Sequence, residues 1–136
     1  MIDKEIIKIA SNTENHGPLD NHTHFSKRKN VICGNEMKVY LIVKNNKIIN
    51  FKYECQSCIY CQASVSLLSR KAKSKSIEKV KSFAEQAKNY FDKSSKYRDK
   101  EWKEFDMIMT KNNISRKECL LLPLNTTLDA LNKKSL

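Results

Sequence analysis

Residues 37–64 read MKVYLIVKNNKIINFKYECQSCIYCQAS, and each part of that stretch asks for a different backbone. MKVYLIV (37–43) and KIINFKYE (47–54) are rich in β-branched and aromatic residues, the composition of strands. Asn45-Asn46 between them fits a two-residue hairpin, because asparagine tolerates the positive φ such turns need. Cys55, Cys58 and Cys61 then fall at a spacing of three. From Gln62 to Ala72 glycine and proline are absent, and Ala63, Leu67 and Leu68 share one side of a helix expected over 62–72.

Working outward, Ile2, Ile6, Ile9 and Ala10 recur at helical spacing, so the N-terminal segment 1–13 carries a short amphipathic helix over 2–13. Gly17-Pro18 punctuates a turn, and residues 23–31 read as an extended segment that completes an antiparallel region over 23–54. Residues 58–131 form the helical part. Ser76 precedes IEKVKSFAEQAKNYF, whose apolar stripe is Ile77, Val80, Phe83, Ala84, Ala87 and Phe91. A polar linker (92–100) follows, then a short helix laying Trp102, Phe105 and Ile108 on the core. Proline is tolerated in a first helical turn, so the last helix is expected to begin just before Pro123. The expectation is one α+β domain: a three-stranded antiparallel sheet with helices packed on it.

The net charge of +11 raises the question of nucleic acid. The excess is nearly all lysine; the arginines are Arg28, Arg70, Arg98 and Arg116. Specific recognition of bases and phosphates leans on arginine's planar fork, so a solvated lysine surface is expected, with no specific nucleic-acid partner. A basic RNA-binding module would need exposed aromatics among the lysines, for which Tyr90, Phe91, Tyr97 and Trp102 are the candidates. No stretch approaches the roughly 18 apolar residues of a membrane span. The start, MIDKEIIKIA, has acidic residues and no long apolar run, so a cytoplasmic protein with reduced thiols is expected.

Clustered cysteines in such a chain point to metal or to sulfur chemistry. Cys33 opens CGN between two extended segments, and Gly34 beside it suggests a bend. Cys58 lies where strand gives way to helix, and Cys119 just before the last helix. Helix N-termini favour thiolate, which is both metal ligand and sulfur nucleophile. The triplet is no self-sufficient cluster motif, since Ala63-Ser64-Val65 supply neither the fourth cysteine nor the proline of a ferredoxin run. Cys33 and Cys119 are each solitary, unlike the paired cysteines of a zinc ribbon. Cys55 and Cys61 have burial as small hydrophobes for their alternative. His22 and His24 would share a face in an extended segment and are read as surface residues; His16, beside the Gly-Pro turn, has no assigned role.

CGNEMKVYLIV, the extended KIINFKYE, CIYCQAS and SRKECLLLP, in that order, resemble the NifU/IscU/SufU-type iron–sulfur cluster assembly scaffolds. Cys33-Gly34, Cys58 with Ala63-Ser64, and Arg116-x-x-Cys119 carry the resemblance over roughly residues 2–131. It implies that Cys33, Cys58 and Cys119 receive sulfur from a cysteine desulfurase and hold a transient [2Fe–2S] cluster destined for apo-proteins. Cys33 and Cys119 are then the candidate persulfide acceptors. Gly34, Ser64 and Arg116 support the site. Some relatives hold zinc there and act as sulfur acceptors, so a zinc-bound sulfurtransferase partner is the alternative. The chain departs from the pattern at Asn35, where the family has aspartate. That leaves the fourth ligand to either Asn35 or Cys61. Cys55 and Ser57 replace the two glycines before the central cysteine, and no Leu-Pro-Pro-Val-Lys motif is present.

Overall fold

The structure is a computed structural model that describes residues 4–30, 34–92 and 100–132. A first helix, α1 (Lys4–Ala10), precedes strands β1 (His24–Asn30), β2 (Asn35–Lys44) and β3 (Lys47–Gln56). Helices α2 (Ile59–Ala72), α3 (Ile77–Ala87) and the single turn α4 (Asn89–Asp92) follow. Two 3-10 segments (Lys100–Met107 and Lys111–Arg116) lead into α5 (Lys117–Asn132).

The strands form an antiparallel meander in the order β1-β2-β3. Asn45 and Asn46 take φ of 52° and 66°, the paired left-handed conformation that lets a two-residue turn follow the twist of its strands. The register sets Met37 opposite Cys55, Val39 opposite Tyr53 and Leu41 opposite Phe51. Alternation then puts these side chains on one face, where Met37, Val39, Leu41, Phe51 and Tyr53 are buried. Helix α5 lies along β1 and β2, α2 packs on β3 and α5, and α1 packs on α2. The open edge of β3 is covered. Gly17 donates to the Tyr53 carbonyl at 2.8 Å and Tyr53 donates to the Asn15 carbonyl at 3.2 Å, while Ser74 and Ile48 pair the far end. Edge amides that would otherwise template association are thereby used.

Several helix boundaries differ from those the sequence suggests. Ser76 caps α3 as expected, its hydroxyl accepting from the Lys79 amide. That helix stops at Ala87, however, and Phe91 reaches the core from the separate turn α4. Among the described residues helix α1 runs over Lys4–Ala10 and so stops short of residue 13, and α2 begins at Ile59 because the cap falls on Cys58. The largest correction is α5, which begins at Lys117 and carries Pro123 in its interior. Six helical residues precede Pro123, so its ring lies past the first turn and removes one backbone donor from the helix. The burial of Leu120, Leu121, Leu122 and Leu124 outweighs that loss. Part of the linker, 93–99 with Tyr97, lies outside the described residues.

Phe91 is 3% exposed and Trp102 1%, so neither ring can stack on a base. Trp102 instead stacks on Phe83 at 4.1 Å between centroids, and Phe105 packs against both. This cluster holds the 3-10 segment to α3. Truncating a buried phenylalanine to alanine costs about 3–5 kcal/mol. Phe83→Ala is therefore expected to lower the urea midpoint by that equivalent, followed through the fluorescence of Trp102, the chain's single tryptophan. A loss below about 1 kcal/mol would show that the stack does not anchor this segment.

Candidate functional site

The turn from β1 into β2 closes when the Gly34 amide donates to the Asn30 carbonyl at 2.8 Å. Gly34 has a φ of +71°, a conformation that costs glycine nothing. Asn35, the next residue, opens β2 and is 4% exposed. Its side-chain amide donates to the Cys119 sulfur at 3.4 Å and to the Cys58 sulfur at 3.6 Å. Its Oδ1 accepts from the Cys58 backbone amide at 3.2 Å. One carboxamide thus meets two thiols and the cap of a helix. Aspartate could accept from that backbone amide but, ionised, could donate to neither sulfur.

Cys58 is the N-cap of α2, with extended φ and ψ of −71° and 167°. Its sulfur makes no cap hydrogen bond of normal geometry. Burial alone would raise this thiol's pKa. The first-turn amides of Cys61 and Tyr60 and the side chains of Cys119 and Asn35 outweigh burial and lower it. The site thus favours thiolate at Cys58. Cys119 sits on the first turn of α5, within the helix rather than ahead of it, and is buried. The Ser64 hydroxyl donates to the Leu120 carbonyl at 2.7 Å and ties α2 to α5 next to the two thiols. Arg116 lies over the Tyr60 ring, 5.2 Å from its centroid.

Cys33 lies outside the described residues, so the described part of the site is Asn35, Cys58 and Cys119. Among the described residues no group of three His, Cys, Asp or Glu side chains is gathered as a metal site. Cys61, on the first turn of α2, is 0% exposed, and burial pushes its thiol far above the ordinary range. Cys55 faces the helices opposite Met37, half-buried, and burial raises its thiol too. The described cysteines are not joined in disulfides.

His22 and His24 do not act together. The His22 ring packs on Phe25 and Tyr40, with Nδ1 2.7 Å from the Leu19 carbonyl, while His24 Nδ1 meets the Thr23 hydroxyl at 2.9 Å. Sequence reasoning missed His16. It packs edge-on against Tyr53 at 5.3 Å and, with Cys55, lines cavities of about 410 Å³ and 230 Å³. Nothing local signals this, since the placement comes from pairing along the edge of β3.

Two thiols and a carboxamide, gathered where a sheet and two helix N-termini meet, define an α+β domain with a thiol site in which Cys58 is half-buried and Asn35 and Cys119 are buried. Residues 1–101 match the family described as the NifU-like N terminal domain, and the chain belongs to that family. It is 28% identical over 136 residues, covering 99% of this chain and 95% of the relative, to the iron–sulfur cluster assembly scaffold protein IscU of Thermotoga maritima. Two solved structures share the fold. A protein described as an iron–sulfur cluster assembly scaffold for the SUF system, from Fervidobacterium islandicum AW-1, superposes with a TM-score of 0.82 at 24% identity over 96% of each chain. The N-terminal part of a nitrogen-fixing NifU-like protein from Brucella abortus gives 0.83 at 20%, covering 95% of this chain and 90% of that one. Among the described residues no helix is long and apolar enough to cross a membrane.

Asn35→Asp removes two N–H···S contacts and places negative charge beside both thiols. Thiolate at Cys58 is then disfavoured, its pKa rises, and its reactive fraction near neutral pH falls. Alkylation of Cys58 by iodoacetamide in the metal-free protein is expected to slow by about tenfold, the equivalent of one pKa unit. An unchanged rate–pH profile would show that Asn35 does not set the state of this thiol.

Proposed function

We propose that this chain is an iron–sulfur cluster assembly scaffold. A cysteine desulfurase delivers sulfur to its thiols, iron joins it, and the resulting labile [2Fe–2S] cluster passes to apo-proteins as cargo. The ligands are Cys33, Cys58 and Cys119, with Asn35 beside them. The observation that carries this reading is the Asn35 amide held between the Cys58 and Cys119 sulfurs. The two sulfurs share a donor at helix N-termini, an arrangement suited to thiolates that accept sulfur and bind iron. Cys61, wholly buried on the first turn of α2, is left out of the ligand set.

The neutral amide also shapes release. Hydrogen bonds to ligand sulfurs stabilise negative charge on a cluster and are among the terms that tune it. A carboxylate at this position would withdraw that support and add repulsion. Each lost hydrogen bond is worth about 0.5–1.5 kcal/mol, so with both contacts to sulfur gone Asn35→Asp is expected to hand its cluster to an apo-ferredoxin at least about fivefold faster than the unaltered chain.

Anaerobic reconstitution with ferrous iron, cysteine, dithiothreitol and a cysteine desulfurase, followed by visible absorption and metal analysis, tests the function. A cluster chromophore that forms, transfers to the apo-ferredoxin and is lost in Cys58→Ser and Cys119→Ser is expected. Stoichiometric zinc with sulfur acceptance and no chromophore would establish the sulfurtransferase reading instead. A chromophore unaffected by both serine variants would remove these cysteines from the ligand set.

A further inference from the structure

Cys61 is left unused by the cluster reading, yet it stands in a definite relation to Cys58. Cys58 is the N-cap of the α2 helix and Cys61 its third residue. That spacing sets their Cα atoms about 5 Å apart by helix geometry, within the window of about 4.4–6.8 Å that disulfides occupy. The Cys58 side is half-open and the Cys61 side is shut, at 0% exposure. An outer thiol at a helix N-terminus backed by an inner thiol one turn on is the arrangement of a C-x-x-C redox pair. Ser57, just before the cap, adds to it. Its hydroxyl oxygen is shielded from solvent with no partner of normal geometry among the described residues, and it faces the Cys61 and Cys55 sulfurs. It is a donor in reserve for whichever sulfur gains charge.

We propose that Cys58 and Cys61 form an internal dithiol that reduces a persulfide carried on Cys58 and releases its outer sulfur as sulfide. This rests on the reading of the site as a sulfur acceptor. The Cys61 sulfur attacks the Cys58 sulfur, a Cys58–Cys61 bond forms, and the bond from the Cys58 sulfur to the sulfane sulfur breaks. The sulfane sulfur leaves with the bonding electron pair and takes the Cys61 proton, departing as hydrogen sulfide. It gains two electrons, and the two cysteine sulfurs together lose two. An external dithiol then reduces the disulfide and restores both thiols. Cluster assembly needs sulfur as sulfide, whereas a persulfide holds it two electrons too oxidised. The pair supplies those electrons within one turn of helix, and burial keeps Cys61 from being loaded in place of Cys58.

Inorganic polysulfide loads thiols without any desulfurase, which separates this proposal from the function on which it rests. The full chain is treated anaerobically with polysulfide, freed of excess reagent, and held without reductant. Sulfide release, intact mass and peptide mapping are then followed. The unaltered protein is expected to release sulfide and lose two hydrogens' mass as a Cys58–Cys61 disulfide forms. Cys61→Ala and Cys61→Ser are expected to keep the extra sulfur on Cys58 and to release sulfide at least about tenfold more slowly, because the intramolecular partner is gone. Cys55→Ser is expected to behave as the parent does. A persulfide that persists in the unaltered chain overturns the proposal, and that readout does not depend on whether the variants fold. So does release at the parent rate in both Cys61 variants, or a disulfide mapped to Cys55–Cys58. If polysulfide gives the Cys58–Cys61 disulfide while a cysteine desulfurase leaves Cys58 unloaded, the scaffold function fails and the dithiol chemistry stands.

Discussion

The Asn35 carboxamide accepts from the backbone of one helix cap and donates to two sulfurs, and the placement of three elements meets in it. It can do so because β2 begins at that residue, which requires the turn at Gly34 with its positive φ. Helix α2 must start with Cys58 at its cap, which follows from β3 ending two residues earlier at Gln56. Helix α5 must bring Cys119 alongside α2, and the buried Ser64 hydroxyl on the Leu120 carbonyl holds that approach. Leaving one buried polar group without its partner costs about 1–3 kcal/mol, so the amide and its three contacts constrain one another.

Much of this architecture was legible because it depends on local chemistry. The hairpin follows from Asn45-Asn46 between two β-rich runs, and the start of α3 from Ser76. The α+β order with a three-stranded sheet could be read from the change of period at the cysteines. The boundaries that failed were settled by burial. Pro123 suggested a helix start, but an apolar face that runs back through Leu120 made the helix begin earlier and accept the proline. At the site, residue type gave the meeting of Asn35, Cys58 and Cys119 through resemblance but not through spacing, since 84 residues separate Asn35 from Cys119. From sequence, Asn35 reads as a candidate fourth ligand. Its role as a donor to sulfur shows only when both sulfurs are in place. His16 was opaque for the same reason, since its position is fixed by pairing with Tyr53.

Part of the lysine excess lies on the outer face of the sheet. Register places Lys38 beside Glu54 on β3 and Lys27 on β1, and Lys29 beside Glu36. Lys27 also reaches Glu36 at 3.8 Å. Glu36 and Glu54 stand among these lysines, while Lys27 and Lys38 face each other, and the rings are in use: His22, Phe25 and Tyr40 pack on one another, and the Tyr40 hydroxyl donates to Glu54. A nucleic-acid platform needs rings open to bases between cations. On this face the His22, Phe25 and Tyr40 rings are already packed on one another.

The seven residues from Cys55 to Cys61 therefore hold thiols in different physical states within one short stretch. Cys55 lies near the end of a strand and faces the helices, Cys58 caps a helix, and Cys61 lies inside it. Three-residue spacing gives each a different backbone because the strand-to-helix change falls between them. Solvent is excluded from Cys61 while the cap remains half-open, so the two sulfurs on α2 differ in access by design of the helix start alone. A longer loop would free the cap from Asn35, and an earlier helix start would bury Cys58 as Cys61 is buried. The position of the helix boundary, set by the two residues Gln56 and Ser57 that precede the cap, thus decides which sulfur meets solvent and which stays behind it.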